Sequence, residues 1–117
     1  MNKKILGCLL GAAVGDAMGS ATETKSPRQI EKVFGGRVTE FRTPPMDTLA
    51  RGRKAGQITD AFSIPYILTN HLINANGQVS KRLGEEALIE WGDTEYFEPF
   101  AGMTTRNVVK RLKQDES

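Results

Sequence analysis

Read as a string of apolar and polar positions, the first twenty residues behave differently from everything after them. From Ile5 the segment ILGCLLGAAVGDAMGS sorts into four rows repeating every fourth residue. Gly7, Gly11, Gly15 and Gly19 make one row, and Ile5, Leu9, Ala13 and Ala17 the second. Leu6, Leu10, Val14 and Met18 make the third, and Cys8, Ala12, Asp16 and Ser20 the fourth. Residues four apart share a side of an α-helix. The pattern therefore predicts a helix that is apolar over most of its girth, with a bare glycine stripe and Asp16 as its one mid-helix charge. Each interior glycine costs about 1 kcal/mol against alanine, so the stripe predicts close packing along it and a buried helix. The same residues also have the basic start, apolar run and small residues of a secretory leader. A leader has no use for a four-residue glycine period, which favours the buried helix.

The rest of the chain alternates amphipathic stretches with breaks. SPRQIEKVFGG predicts a short helix capped by Ser26, with Pro27 at its first position and Gly35 or Gly36 ending it. Arg37 to Gln57 has little periodicity and contains Pro44, Pro45 and Gly52. It is basic through Arg42, Arg51, Arg53 and Lys54, and reads as a solvated loop or as a loop folding over an anion such as a diphosphate. After Asp60, the positions Ile64, Ile67, Leu68 and Leu72 predict one apolar helix face ending near Asn74. Pro65 leaves two starts open. Capping by Thr59 puts the proline beyond the first turn, whereas capping by Ser63 keeps it within that turn. Ser80 is expected to cap a helix over KRLGEEALIEW, and GDTEYFEPFAG to form a loop. MTTRNVVKRLK is expected to form a last helix with Val108, Val109 and Leu112 inward. No convincing strand longer than RVTEF appears, so the class is all-α with long loops, in one domain spanning residues 1–117.

Composition narrows the function classes. A formal net charge of +2 is too small to argue for nucleic acid or an anionic membrane surface as a partner. The apolar run from Ile5 to Gly15 is well short of the roughly 20 residues that span a bilayer. Cys8 is the only cysteine, which excludes an internal disulfide and suggests a reducing, cytoplasmic setting. With His71 the only histidine, a Cys/His zinc site within the chain is also excluded. A dyad of Cys8 and His71 has no supporting sequence around either residue. Trp91, Tyr96, Phe97 and Phe100 read as core or interface filling in preference to a stacking shelf.

The step Thr59-Asp60 in GQITDAFS places two oxygen-bearing side chains at the entrance of a helix. Ordinary helix-start chemistry would account for them, and so would a site for a hard cation. Three segments in order then resemble one family. ILGCLLGAAVGDAMGSATE is similar to the opening helix of the ADP-ribosylglycohydrolases, GQITDAFS resembles their Thr-Asp-Asp motif, and AGMTTRNVVKRL resembles the glycine and threonine turn that opens a later helix.

The resemblance implies an all-α orthogonal helical bundle of that type, of which residues 1–117 would be the N-terminal part. It implies hydrolysis of the glycosidic bond joining ADP-ribose to a protein side chain or small molecule, assisted by two magnesium ions. Such ions orient a ribose and polarise the attacking water. Carried over by position, Thr59 and Asp60 would be metal ligands, and Glu23 and Asp60 would act in catalysis. Asp16, Gly102, Thr104 and Thr105 would approach the substrate, with Asp16 supporting the site from the first helix. Two departures matter. Ala61 stands where the family has a second aspartate, and the aspartate-rich motif that completes the family's metal site is absent from these 117 residues. Half a metal site is therefore expected, and with it no tight magnesium binding. The alternative function is a non-catalytic helical interaction module. Under either reading, apolar faces left bare predict self-association or a second chain.

Overall fold

A computed structural model of the chain describes residues 2–116. Among them there are helices and no strand, so the protein is all-α. In chain order the helices are α1 (Lys3–Gly19), α2 (Pro27–Phe34), α3 (Asp60–Asn74), α4 (Lys81–Gly92), α5 (Phe97–Phe100) and α6 (Met103–Glu116). The contacts divide the chain into two compact units, Met1–Thr59 and Asp60–Ser117.

In the first unit, α1 opens on Asn2, whose side-chain oxygen accepts the Lys4 N–H at 2.8 Å. The helix forms over the expected residues, but its environment is not the expected one. Ala17 is its one buried residue, while Ile5, Leu6, Leu10 and Val14 are exposed. A Cβ built at Gly7, Gly11, Gly15 or Gly19 meets nothing within 4 Å. Among the described residues, then, the glycine stripe has no closely packed neighbour, and the expectation of a buried helix is overturned. The period was read correctly, but periodicity does not say which side of a helix is covered.

Helix α2 follows its sequence signals closely. Ser26 accepts the Gln29 N–H, the Gln29 side chain accepts the Ser26 N–H in return, and Pro27 occupies the first turn. This reciprocal capping box satisfies two donors that a helix start leaves open. Gly35 ends the helix with φ +77°, a left-handed conformation suited to glycine. The segment 37–59 has neither helix nor strand, yet it is not simply solvated. Thr48 and Ala50 are buried, Arg42 pairs with Glu40 at 3.0 Å, and Arg51 donates to the Thr48 carbonyl at 3.3 Å.

The second unit is built on apolar packing. Helices α3 and α4 lie against each other, and α4 also contacts α6. Ile67, Ala87, Trp91 and Ala101 form its core, with Ile64, Tyr96 and Phe97 packed around them. Trp91 is fully buried; its indole N–H donates to the Ser63 hydroxyl at 2.9 Å, and its ring meets Phe97 edge-on at 5.7 Å. The Ser63 capping alternative is removed, because α3 already begins at Asp60 and carries Pro65 inside it. Ser80 caps α4 by accepting the Leu83 N–H at 3.1 Å.

Two local expectations are corrected in this unit. Val109 is the buried residue of α6, whereas Val108 is exposed. The loop after α4 contains α5, a short turn interrupted by the extended backbone of Glu98. The closest backbone approach is also at a glycine outside the N-terminal stripe. A Cβ at Gly92 would stand 2.5 Å from the Val109 Cγ1, nearer than side chains tolerate, so α4 and α6 meet there only because Gly92 has none.

Candidate active site

Two elements of the first unit hold the residues of greatest interest. Asp16 sits near the C-terminal end of α1, and Thr59 is the last residue of that unit, 43 positions further on. The Asp16 carboxylate joins them with both oxygens. Oδ2 accepts the Thr59 backbone N–H at 2.7 Å, and Oδ1 accepts the Thr59 hydroxyl at 2.5 Å. Hydrogen bonds to an ionised acceptor are shorter and stronger than neutral ones, and a pair of them fixes both backbone and side chain. Thr59 is buried and Asp16 half-buried, so water competes poorly for the pair. Because Asp16 takes up the hydroxyl hydrogen, the Thr59 oxygen is turned to present lone pairs elsewhere.

Glu23 lies in the turns that follow α1. The Thr22 N–H donates to the Gly19 carbonyl and the Lys25 N–H to the Thr22 carbonyl, which carries the chain from α1 toward α2. Glu23 is exposed there, and the next residue, Thr24, takes the left-handed φ of +62°, uncommon for a β-branched side chain. A hollow of about 650 Å³ in the same unit is lined by Met18, Thr22, Ile30 and Val38, among others. Asp16, Glu23 and Thr59 take no part in its wall, so we do not place the chemistry in it.

In the second unit, Asp60 is the first residue of α3 and is half-buried. Gly102 immediately precedes α6, and its carbonyl accepts the Arg106 N–H at 2.9 Å. Thr104 and Thr105 occupy the first turn of α6, Thr104 exposed and Thr105 half-buried. The sequence reading overlooked Arg106, which organises the chain ahead of α6. Its guanidinium is bidentate to the Glu98 carboxylate, donates to the Ala101 carbonyl at 3.2 Å, and lies 5.0 Å from the centre of the Phe97 ring. The Arg106 hydrogen bond holds the Glu98 carboxyl below its ordinary pKa. No spacing rule signals a pair eight residues apart across a proline.

The donor chemistry can be weighed against magnesium. A hard dication prefers six oxygens in octahedral array, and Thr59 and Asp60 offer oxygens of the right kind. Their number falls short, because Ala61 adds none. Among the described residues no group of three or more His, Cys, Asp and Glu could hold a metal ion. The residues present do not fit a two-ion site. His71, the lone histidine, contacts Glu90 at 2.5 Å and so links α3 to α4. Cys8 is exposed on α1.

Comparison with known proteins adds one positive result. The family model described as ADP-ribosylglycohydrolase matches residues 1–117, the whole chain. No curated protein matches. Among the described residues, no helix is long and apolar enough to cross a membrane.

Proposed function

We propose, from the premise that this chain belongs to the ADP-ribosylglycohydrolase family, that it contributes part of a site hydrolysing the glycosidic bond of ADP-ribose. The bond joins ADP-ribose to a protein side chain or a small molecule. The observation that carries this reading is the two-point grip of Asp16 on Thr59. Helix-start chemistry does not require it, since capping a helix calls for no carboxylate bound to the residue before it. The grip holds the Thr59 backbone and hydroxyl in a fixed relation to the end of α1.

In the proposed roles, Thr59 and Asp60 supply oxygen ligands and Asp60 a negative charge. Glu23 acts from the exposed turn after α1, and Gly102, Thr104 and Thr105 approach the substrate at the start of α6. Magnesium, when bound, would supply Lewis-acid activation of water. With two side-chain ligands the chain alone holds it weakly, so no step is assigned to the ion. A reducing, cytoplasmic setting is inferred from Cys8 being the single cysteine.

Magnesium titration followed by amide NMR tests this reading. Millimolar magnesium is expected to shift the Thr59 and Asp60 resonances, and Asp60→Ala to abolish the response. Shifts confined to other acidic residues would refute the assignment. Micromolar affinity, or release of ADP-ribose from ADP-ribosyl-arginine by the purified chain, would refute the half-site reading and leave a complete hydrolase.

The second reading, a non-catalytic interaction module, draws on a different observation. Ile5, Leu6, Leu10 and Val14 expose apolar surface along α1, while Trp91 and Phe100 are already buried within the second unit. Light scattering above the 12.9 kDa monomer mass at high concentration would favour it. A clean monomer would reject it.

A further inference from the structure

Lys25 is a lysine in an unusual place. Its side chain is only 5% exposed, and its ammonium reaches Asp47 Oδ2 at 2.7 Å, while the Asp47 side chain is largely exposed. Lysine is rarely this buried unless paired. The hydrogen bond from Lys25 also holds the Asp47 carboxyl below its ordinary pKa. The pair joins the turn after α1 to the segment that ends at Thr59. The Asp16–Thr59 bonds tie that segment a second time, to the end of α1.

We propose that residues 47–59 form a strap fastened at both ends, and that Lys25 and Asp47 are positioning residues for Thr59. The proposal deepens the hydrolase reading, resting on it for the role of Thr59, and names how presentation of that ligand is controlled. Without the Lys25–Asp47 link, the Asp16–Thr59 contact closes a loop of 43 positions. With the link in place, the free length is about half as long. Closing a loop becomes harder by roughly threefold in equilibrium constant for each doubling of its length. Burial of Thr48 and Ala50 between the two fastenings keeps the strap seated along its length. Releasing Asp47 therefore loosens Thr59 without touching it.

Amide hydrogen exchange of the full chain, followed by NMR, tests the strap. Lys25→Met keeps the apolar stem of the buried side chain and removes its charge, and Asp47→Asn makes the matching change on the exposed partner. Each is expected to speed exchange of the Thr59 amide about threefold, with the amides of α4 around Trp91 unchanged. Asp47→Glu, which restores the carboxylate, is expected to bring the rate back toward that of the parent chain. An unchanged Thr59 rate in Asp47→Asn overturns the proposal, as does equal acceleration of the α4 amides, which would report general destabilisation. The readout involves neither magnesium nor hydrolysis. The strap can therefore fail while the half-site stands, and the reverse.

Discussion

The two units solve the problem of staying folded by different means. In Asp60–Ser117 the buried set includes a tryptophan, a phenylalanine, an isoleucine, a leucine and a valine, and the central polar link is the Trp91–Ser63 hydrogen bond inside that packing. Among the described residues of Met1–Thr59 the buried set is compact or polar: Ala17, Ser20, Ala21, Pro44, Thr48, Ala50 and Thr59. Small side chains bury little area, and apolar burial contributes only about 25 cal/mol per Å². The first unit therefore depends more on polar fastenings such as Asp16 to Thr59 and Lys25 to Asp47. The lesson is about function as much as stability. A side chain held by directional bonds is placed more sharply than one held by packing, and the side chain held this way is Thr59.

The largest effect should come from attacking the apolar side of the contrast. Trp91→Ala removes a fully buried ring and leaves Ser63 without its partner, and is expected to cost about 3–5 kcal/mol. Urea unfolding would measure it, and a loss below 1 kcal/mol would mean that the second unit is not held by this core.

Glycines in the two units sharpen the comparison. Gly92→Ala drives a methyl toward the Val109 Cγ1 and is expected to cost about 1–3 kcal/mol. Gly11→Ala enters open space in a helix interior and is expected to stabilise by up to about 1 kcal/mol. Thermal midpoints of the two variants would separate them. The opposite order would mean that the N-terminal stripe is packed and the α4–α6 approach is not.

The smallest effect concerns pH. The Arg106 hydrogen bond lowers the Glu98 carboxyl pKa in the folded chain. A group whose folded pKa is depressed contributes stability above its unfolded pKa and loses it as pH falls through the folded value. Glu98 is exposed, so solvent screens most of this contribution. Glu98→Gln is expected to lower the melting temperature slightly at neutral pH, with the gap closing below the ordinary carboxylate range. A gap that widens on acidification would contradict the pairing.

The contrast also explains what could be read from the sequence. Helices α2, α3 and α4 lie where caps and apolar spacing placed them, because Ser26, Pro27, Gly35 and Ser80 act through their nearest neighbours. Asp16 draws attention through the family resemblance, but its contact with Thr59 spans 43 positions, and no local pattern encodes it. Lys25–Asp47 and Glu98–Arg106 were invisible for the same reason. The glycine stripe misled because spacing reports a row, not a neighbour. Gly92 is one glycine at a helix end and has no period to notice.

The central claim is that Asp16, through hydrogen bonds and not through packing, places Thr59. Residue-resolved hydrogen exchange of Asp16→Ala tests it most directly. The account predicts lost protection from Thr48 to Thr59, with protection retained in α4 around Trp91. An Asp16→Ala chain in which the Thr59 amide exchanges as slowly as before would contradict it.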